Sequence, residues 1–285
     1  MQSSMNPSAN PLAKHFRQPG IYLTLPSKGA YWPDGSIDLN MNGQVAVYPM
    51  TTRDEITIRT PDALLNGESV VQIIQSCCPQ IKNAWKMPSI DVDATLIAIR
   101  IASYGTEMDI DTVCSHCNHE NKHALDLSGV LDGIASPNYS IPVSFNGLKI
   151  KLKPQSYFEA NKINLTTFEE QRLMSIVNDD KLSDEDKMKQ YQEHMSRIID
   201  INISIIAAGT DFIETEDGTQ VTNTVWIKEF YDNADTKVIK AVREKFDSYA
   251  KTVELPKPKV KCEECEKEYP VAIQFDYANF FDNAS

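Results

Sequence analysis

The spacing of apolar residues changes along the chain, and each change predicts a different element. Residues 21–25 read as a short extended piece before the turn-rich loop LPSKGAYWPDG. Residues 44–48 and 55–59 alternate apolar and polar positions around the turn-like PMTTRD, which predicts a hairpin. Thr60 before Pro61 predicts a helix start, because threonine can cap free amides and proline suits the first helical position; Gly67 should stop that helix early. SVVQIIQSCCP predicts a short helix ended by Pro79. In DATLIAIRIASYG, Leu96, Ile97, Ile101 and Tyr104 recur at helical spacing, with Ser89 or Asp91 as the cap and Gly105 as a left-handed C-terminal stop. This is the predicted central helix. Arg100 lies inside its apolar pattern and reads as a snorkelling side chain or half of an internal ion pair, with a partner contact as the functional alternative.

Farther on, SIPVSFNGLKIKLK alternates on both sides of Asn146-Gly147, a dipeptide that favours a type I′ hairpin turn. After Pro154 the period lengthens, predicting amphipathic helices over 157–164, 168–178 and 184–208. Thr167 with Glu170 and Ser183 with Asp186 resemble capping boxes, and the acidic NDDKLSDED reads as a solvated loop. The turn EDGTQ predicts a hairpin-like excursion, followed by helices over 225–233 and 236–252; LPKPKV then returns the chain to extended structure. These elements predict an α+β fold: a polar N-terminal tail over 1–18, a domain of β-hairpins and a central helix over 19–154, a mainly helical insertion over 155–252, and a C-terminal knuckle over 253–285 packing back on the first domain.

Composition narrows the function. Hydrophobic residues are 41% and charged residues 24% of the 285, which excludes collagen-like, low-complexity and wholly disordered chains. Acidic residues outnumber basic ones by 40 to 28, and the net charge of −12 opposes attraction to nucleic acid or anionic lipid. Residues 155–251 alone hold 19 acidic and 12 basic side chains, so their exposed faces should repel other acidic surfaces. The longest apolar runs, 96–102 and 198–208, are broken by Arg100, Asp200 and Asn202 and fall short of the roughly 20 residues a membrane span needs. The first sixteen residues lack a signal-peptide apolar run, which predicts residence in a cytoplasm.

The cysteines carry the clearest chemistry. Four of six form two CxxC pairs, Cys114/Cys117 and Cys262/Cys265; Cys77 and Cys78 read as buried free thiols. TVCSHC leads into alternating HALDL, and VKCEEC leads through KEYP into alternating VAIQF, so each pair should occupy the tip of a β-hairpin. Two such knuckles facing each other place four thiolates around one tetrahedral point, a structural Zn2+ site with no position left for water. The 144 residues between Cys117 and Cys262 exceed a compact zinc ribbon and predict an insertion within a split one. A redox dithiol would want a helix N-terminus, which neither pair precedes. His116, His119 or His123 could instead replace one sulfur ligand. His15 and His194 read as ordinary surface residues. No Walker loop, GxGxxG, GxSxG or HExxH occurs, so no catalytic residues are assigned and no small-molecule substrate is expected.

The ordered series PGIYLTLPSKGAYWPDGSI, PMTTRDEITIRTPDALLNGESVVQIIQSC, LIAIRIASYG and CSHC resembles the baseplate hub assembly proteins of T4-type contractile-tailed bacteriophages. The resemblance is most specific over residues 19–127. It implies a non-enzymatic role in building the tail baseplate hub, as assembly chaperone or structural component, in the host cytoplasm and through contacts with other tail proteins. The chain departs from the tidier family knuckle: Ser115, His116 and Asn118 replace proline and glycine, and Glu266 follows the second pair, where asparagine adopts a left-handed turn more readily than glutamate. Two alternatives from other classes are a zinc-ribbon nucleic-acid-binding or transcription-associated protein and a thiol oxidoreductase. Against the first, PKPKVK is followed by CEECEKE, whose four glutamates offset its lysines.

Tyr31 and Trp32 sit in LPSKGAYWPDG outside any periodic pattern. They are candidate partner-binding aromatics, because such side chains bury large areas at low entropy cost. The competing reading makes Trp32 a plug in its own core.

Overall fold

The computed structural model describes residues 10–59, 67–177, 184–271 and 280–281. Helices and small antiparallel sheets mix along the chain. The first core packs strands β1 (Ile21–Leu23) and β2 (Val45–Val47) against helices α1 (Thr52–Ile58), α2 (Glu68–Cys77) and α3 (Val92–Tyr104). Nine of the thirteen residues of α3 are buried, so a helix apolar on every side has become the centre of its core.

The hairpin predicted around PMTTRD does not form. β2 pairs antiparallel with β1, Val45 opposite Leu23, and the chain beyond the turn is α1. The physical reason is a reciprocal cap: the Thr51 N–H donates to Asp54 Oδ2 at 2.7 Å, and the Asp54 N–H donates to Thr51 Oγ1 at 3.3 Å. That box satisfies free amides of a helix start and outweighs a short alternation. Only Ile58 of that alternation is buried, while Ile56 lies exposed. The helix expected from Thr60 falls outside the described residues. Gly67, at φ 77°, stands at the N-cap of α2, and the helix it was expected to stop lies among residues that are not described. Gly105 ends α3 with φ 91° and an extended ψ of −178°, a glycine conformation but not the left-handed cap expected.

Arg100 is 5% exposed. Its Nη1 donates to the Phe280 carbonyl at 2.6 Å, and its guanidinium lies over the rings of Phe280 and Tyr104. The central helix thereby holds a residue 180 positions away, and Phe280 and Phe281 complete the first core.

After α3, strands β3 (Glu107–Val113) and β4 (Glu120–Asp126) form a two-stranded ribbon running into the short helix α4 (Leu127–Asp132). The second core lies under a four-stranded sheet, β5 (Val143–Phe145), β6 (Leu148–Leu152), β7 (Thr210–Glu214) and β8 (Gln220–Val221), in that order. Asn146 and Gly147 take φ of 46° and 79° between β5 and β6, as a type I′ turn requires.

Between β6 and β7 run two long helices, α5 (Tyr157–Val177) and α6 (Asp184–Ala208). The break expected between 164 and 168 is absent. The capping box is at Ser156 and Glu159, each backbone N–H donating to the other's side chain, and Thr166 is accommodated mid-helix by donating to the Lys162 carbonyl. The box read at Ser183 lies partly outside the described residues. Helices α7 (Thr224–Asn233) and α8 (Thr236–Val253) close the second core, and β9 (Lys259–Lys261) and β10 (Glu268–Pro270) form the last hairpin. The two cores meet where the Ser89 N–H donates to the Gln155 carbonyl and Trp85 stacks on Tyr157.

Candidate metal centre

Two tight turns build the centre. In the first, between β3 and β4, the Cys114 N–H donates to the His119 carbonyl and the Asn118 N–H to the Cys114 carbonyl, both at 2.9 Å. In the second, between β9 and β10, Cys262 donates to Lys267 at 3.0 Å and Glu266 to Cys262 at 3.1 Å. The same bonds join the same relative positions in both. Each turn needs a left-handed residue four places after its first cysteine, and Asn118 (φ 59°) and Glu266 (φ 57°) occupy those places. Glutamate thus adopts the angle that its sequence context disfavours.

The turns face each other. Cys114 Sγ lies 3.7 Å from Cys265 Sγ, Cys117 Sγ lies 3.6 Å from Cys262 Sγ, and all four sulfurs fall within 4.8 Å of one another. A zinc ion with bonds of about 2.3 Å holds tetrahedral sulfurs about 3.8 Å apart, whereas a disulfide needs about 2.05 Å. The cluster therefore has the dimensions of a four-thiolate cage, and the cysteines are free.

Backbone donors favour thiolate within it. The His116 N–H points at Cys114 Sγ at 3.4 Å. Burial opposes ionisation of Cys262, but the N–H groups of Cys265 and Glu264 and the neighbouring thiols outweigh it and lower Cys262 to about 6. Cys117 accepts the His119 N–H, which favours its thiolate, yet desolvation and the other three thiols push it up to about 12. A second negative charge in the same cage is resisted until a cation shares it, which is the chemistry of a metal-binding donor set.

Asn121, which the sequence reading did not single out, joins the two turns. It is buried, its Oδ1 accepts the Glu263 N–H at 2.9 Å, and its Nδ2 donates to the His119 carbonyl at 3.0 Å. The Tyr269 hydroxyl adds a second clasp to Thr112 Oγ1 at 2.7 Å and to His123 Nε2 at 3.3 Å. A polar residue at an inward position of a ribbon strand was the only signal of Asn121. The three nearby histidines are not in the sulfur cluster, and His116 Nε2 lies 3.3 Å from the Glu268 carbonyl instead.

The other candidates lie elsewhere. Trp32 is half-buried against the first core, and its Nε1 donates to Asp91 Oδ2 at 2.9 Å. Asp91 also accepts the Ser27 N–H and hydroxyl, at 2.7 and 2.5 Å. Burial raises its carboxyl to about 6 against those hydrogen bonds. Tyr31 has φ 68°, remains 41% exposed, and meets Tyr139 edge-on. Cys77 and Cys78 are buried in the first core, where desolvation raises both thiols. His194, read as a surface residue, is 6% exposed.

A family model described as T4 bacteriophage base plate protein matches residues 21–282. No curated protein and no solved structure gives a significant match.

Proposed function

We propose, from the premise that this chain belongs to the T4 bacteriophage base plate protein family, that it is a non-enzymatic baseplate hub assembly protein acting through contacts with other tail proteins. Family membership across nearly the whole chain carries the reading. The four-sulfur cage supports it, because a site filled by four protein ligands offers zinc no position for a substrate or reactive water. In this reading the metal is structural and joins the C-terminal knuckle, residues 253–285, to the domain over 19–154. The helical region over 155–252 is the part free to meet partners. Tyr31 is the exposed aromatic contact of the first domain, and Trp32 holds its loop in place.

Assembly takes place in the host cytoplasm, and the finished tail is the second location. Mass spectrometry of purified virions and of infected lysate tests both. A structural component appears in particles at a fixed symmetric copy number; an assembly chaperone appears with hub subassemblies in the lysate and is missing from particles. A protein associated with neither would remove the proposal. The nucleic-acid reading gains no support from the second knuckle, where Glu263, Glu264, Glu266 and Glu268 are all exposed.

A further inference from the structure

Seven places after its first cysteine, each turn of the candidate metal centre has a buried side chain with a polar tip: Asn121 on β4 and Tyr269 on β10. Both reach across to the opposite hairpin, but they take hold of different groups. Tyr269 meets side chains, Thr112 Oγ1 and His123 Nε2. Asn121 meets backbone beside the ligands. Its Oδ1 accepts the Glu263 N–H, which belongs to the peptide that follows Cys262, and the carbonyl of that same peptide accepts the Glu266 N–H. Its Nδ2 donates to the His119 carbonyl, the oxygen that also accepts the Cys114 N–H. One amide therefore fixes a peptide of each turn relative to the other.

Those two peptides carry the two deepest ligands. Cys114 and Cys262 are fully buried, whereas Cys117 is exposed. A cysteine sulfur lies one staggered rotation from its backbone, so tilting either peptide displaces the sulfur it carries. Groups that orient metal ligands in this way typically change metal affinity about 10- to 100-fold when they are removed. We propose that Asn121 is a positioning residue of the metal centre: by holding the Cys262–Glu263 peptide and the His119 carbonyl together, it sets the separation of the two buried sulfurs and so the tightness with which the cage holds its cation. Tyr269 joins the same hairpins without touching a cysteine turn and supplies the comparison. The proposal rests on the reading of the four cysteines as a metal centre.

The test uses full-length protein and two probes: Co2+, whose thiolate absorption reports the geometry of the cage, and Zn2+, whose affinity is read by competition with a chromophoric chelator. Asn121→Ala is expected to lower Zn2+ affinity about 10- to 100-fold and to shift the Co2+ bands. Tyr269→Phe should lower melting yet cost less than about tenfold in affinity, with the Co2+ spectrum unchanged. If Asn121→Ala fails to fold, Glu263→Pro deletes the same hydrogen bond from its exposed end and carries the same expectation, because proline has no N–H and suits the first inner position of a tight turn. Unchanged Zn2+ affinity in the variant that folds would overturn the proposal. So would a loss no larger than that of Tyr269→Phe with unshifted Co2+ bands, since Asn121 would then only hold the hairpins together. Both of these outcomes leave the metal centre standing. Unsubstituted protein that binds neither Co2+ nor Zn2+ would remove the centre itself, and this proposal with it.

Discussion

Helices α3 and α6 present similar isoleucine-rich runs, IAIRIA in one and IIDINISII in the other, yet their surroundings differ completely. In α3 even Thr95 and Arg100 are buried, each with an internal acceptor: Thr95 donates to the Asp91 carbonyl and Arg100 to that of Phe280. In the outer half of α6 large apolar side chains face water. The difference teaches that an apolar stripe fixes which face of a helix seeks burial, but not what will supply it. For α3 the first core supplies it from every side. For α6 the second core ends before the stripe does, and the remainder stays exposed.

The largest expected effect tests whether the closed region depends on a metal held by the four cysteines. One zinc per chain is expected by metal analysis of the purified protein, and a Cys262→Ser/Cys265→Ser variant should lose it. Because an unfolded chain holds no preformed cage, the loss should cost several kcal/mol and lower the melting temperature by many degrees. Hydrogen exchange should show the loss of protection concentrated in β3, β4, β9 and β10, with α6 unchanged. Native protein without stoichiometric metal, or melting unaffected by the double replacement, would show that the hairpins dock unaided.

The comparison itself breaks or stands on one substitution made twice. Ile97→Ala in α3 removes a side chain with no exposure and should cost about 3 kcal/mol in urea unfolding. Ile199→Ala removes the same atoms from an exposed site and should change stability by no more than about 0.5 kcal/mol. Equal costs would mean that the outer part of α6 is already covered.

A pH titration sharpens the closed side. Burial raises Asp91 from 3.8 to about 6 in the folded state. The folded chain therefore holds an extra proton between those values, and the stability this contributes is fully present below about pH 4 and lost as pH rises through 6. The contribution is about 2–3 kcal/mol. Comparing the pH dependence of urea unfolding with that of Asp91→Asn isolates it; identical slopes between pH 4 and 6 would refute the assignment.

The smallest expected effect concerns the loop that Asp91 holds. Trp32→Phe deletes the indole donor but keeps a ring against the core, and should cost about 1–2 kcal/mol. Tyr31→Ala should cost less than about 1 kcal/mol in melting while weakening co-purification with hub proteins. Reversed magnitudes would exchange the roles of the two aromatics.

The elements that were legible in the sequence have local causes. Asn146-Gly147 makes its turn because both residues tolerate positive φ, and the long period after residue 184 gives a helix with bounds 184–208, as read. CxxC spacing likewise makes a tight turn at the end of each ribbon. Misread elements turned on competition between weak local signals: the Thr51–Asp54 box against the alternation around Ile56, and Ser156–Glu159 against Thr167–Glu170. In both cases the helix starts at a box that completes two hydrogen bonds.

By itself, then, the sequence determined which four cysteines pair into CxxC turns, the helix faces and the acidic surface, since residue type and spacing along one segment settle these. Tertiary structure alone decided that β2 pairs with β1, that Asn121 joins turns carrying cysteines 145 positions apart, that Arg100 holds Phe280, that His194 is buried, and that one stripe is core at Ile206 and open at Ile199. Each depends on which distant segment arrives at a surface. That arrival is fixed by the summed packing of the whole chain and leaves no mark in the local pattern.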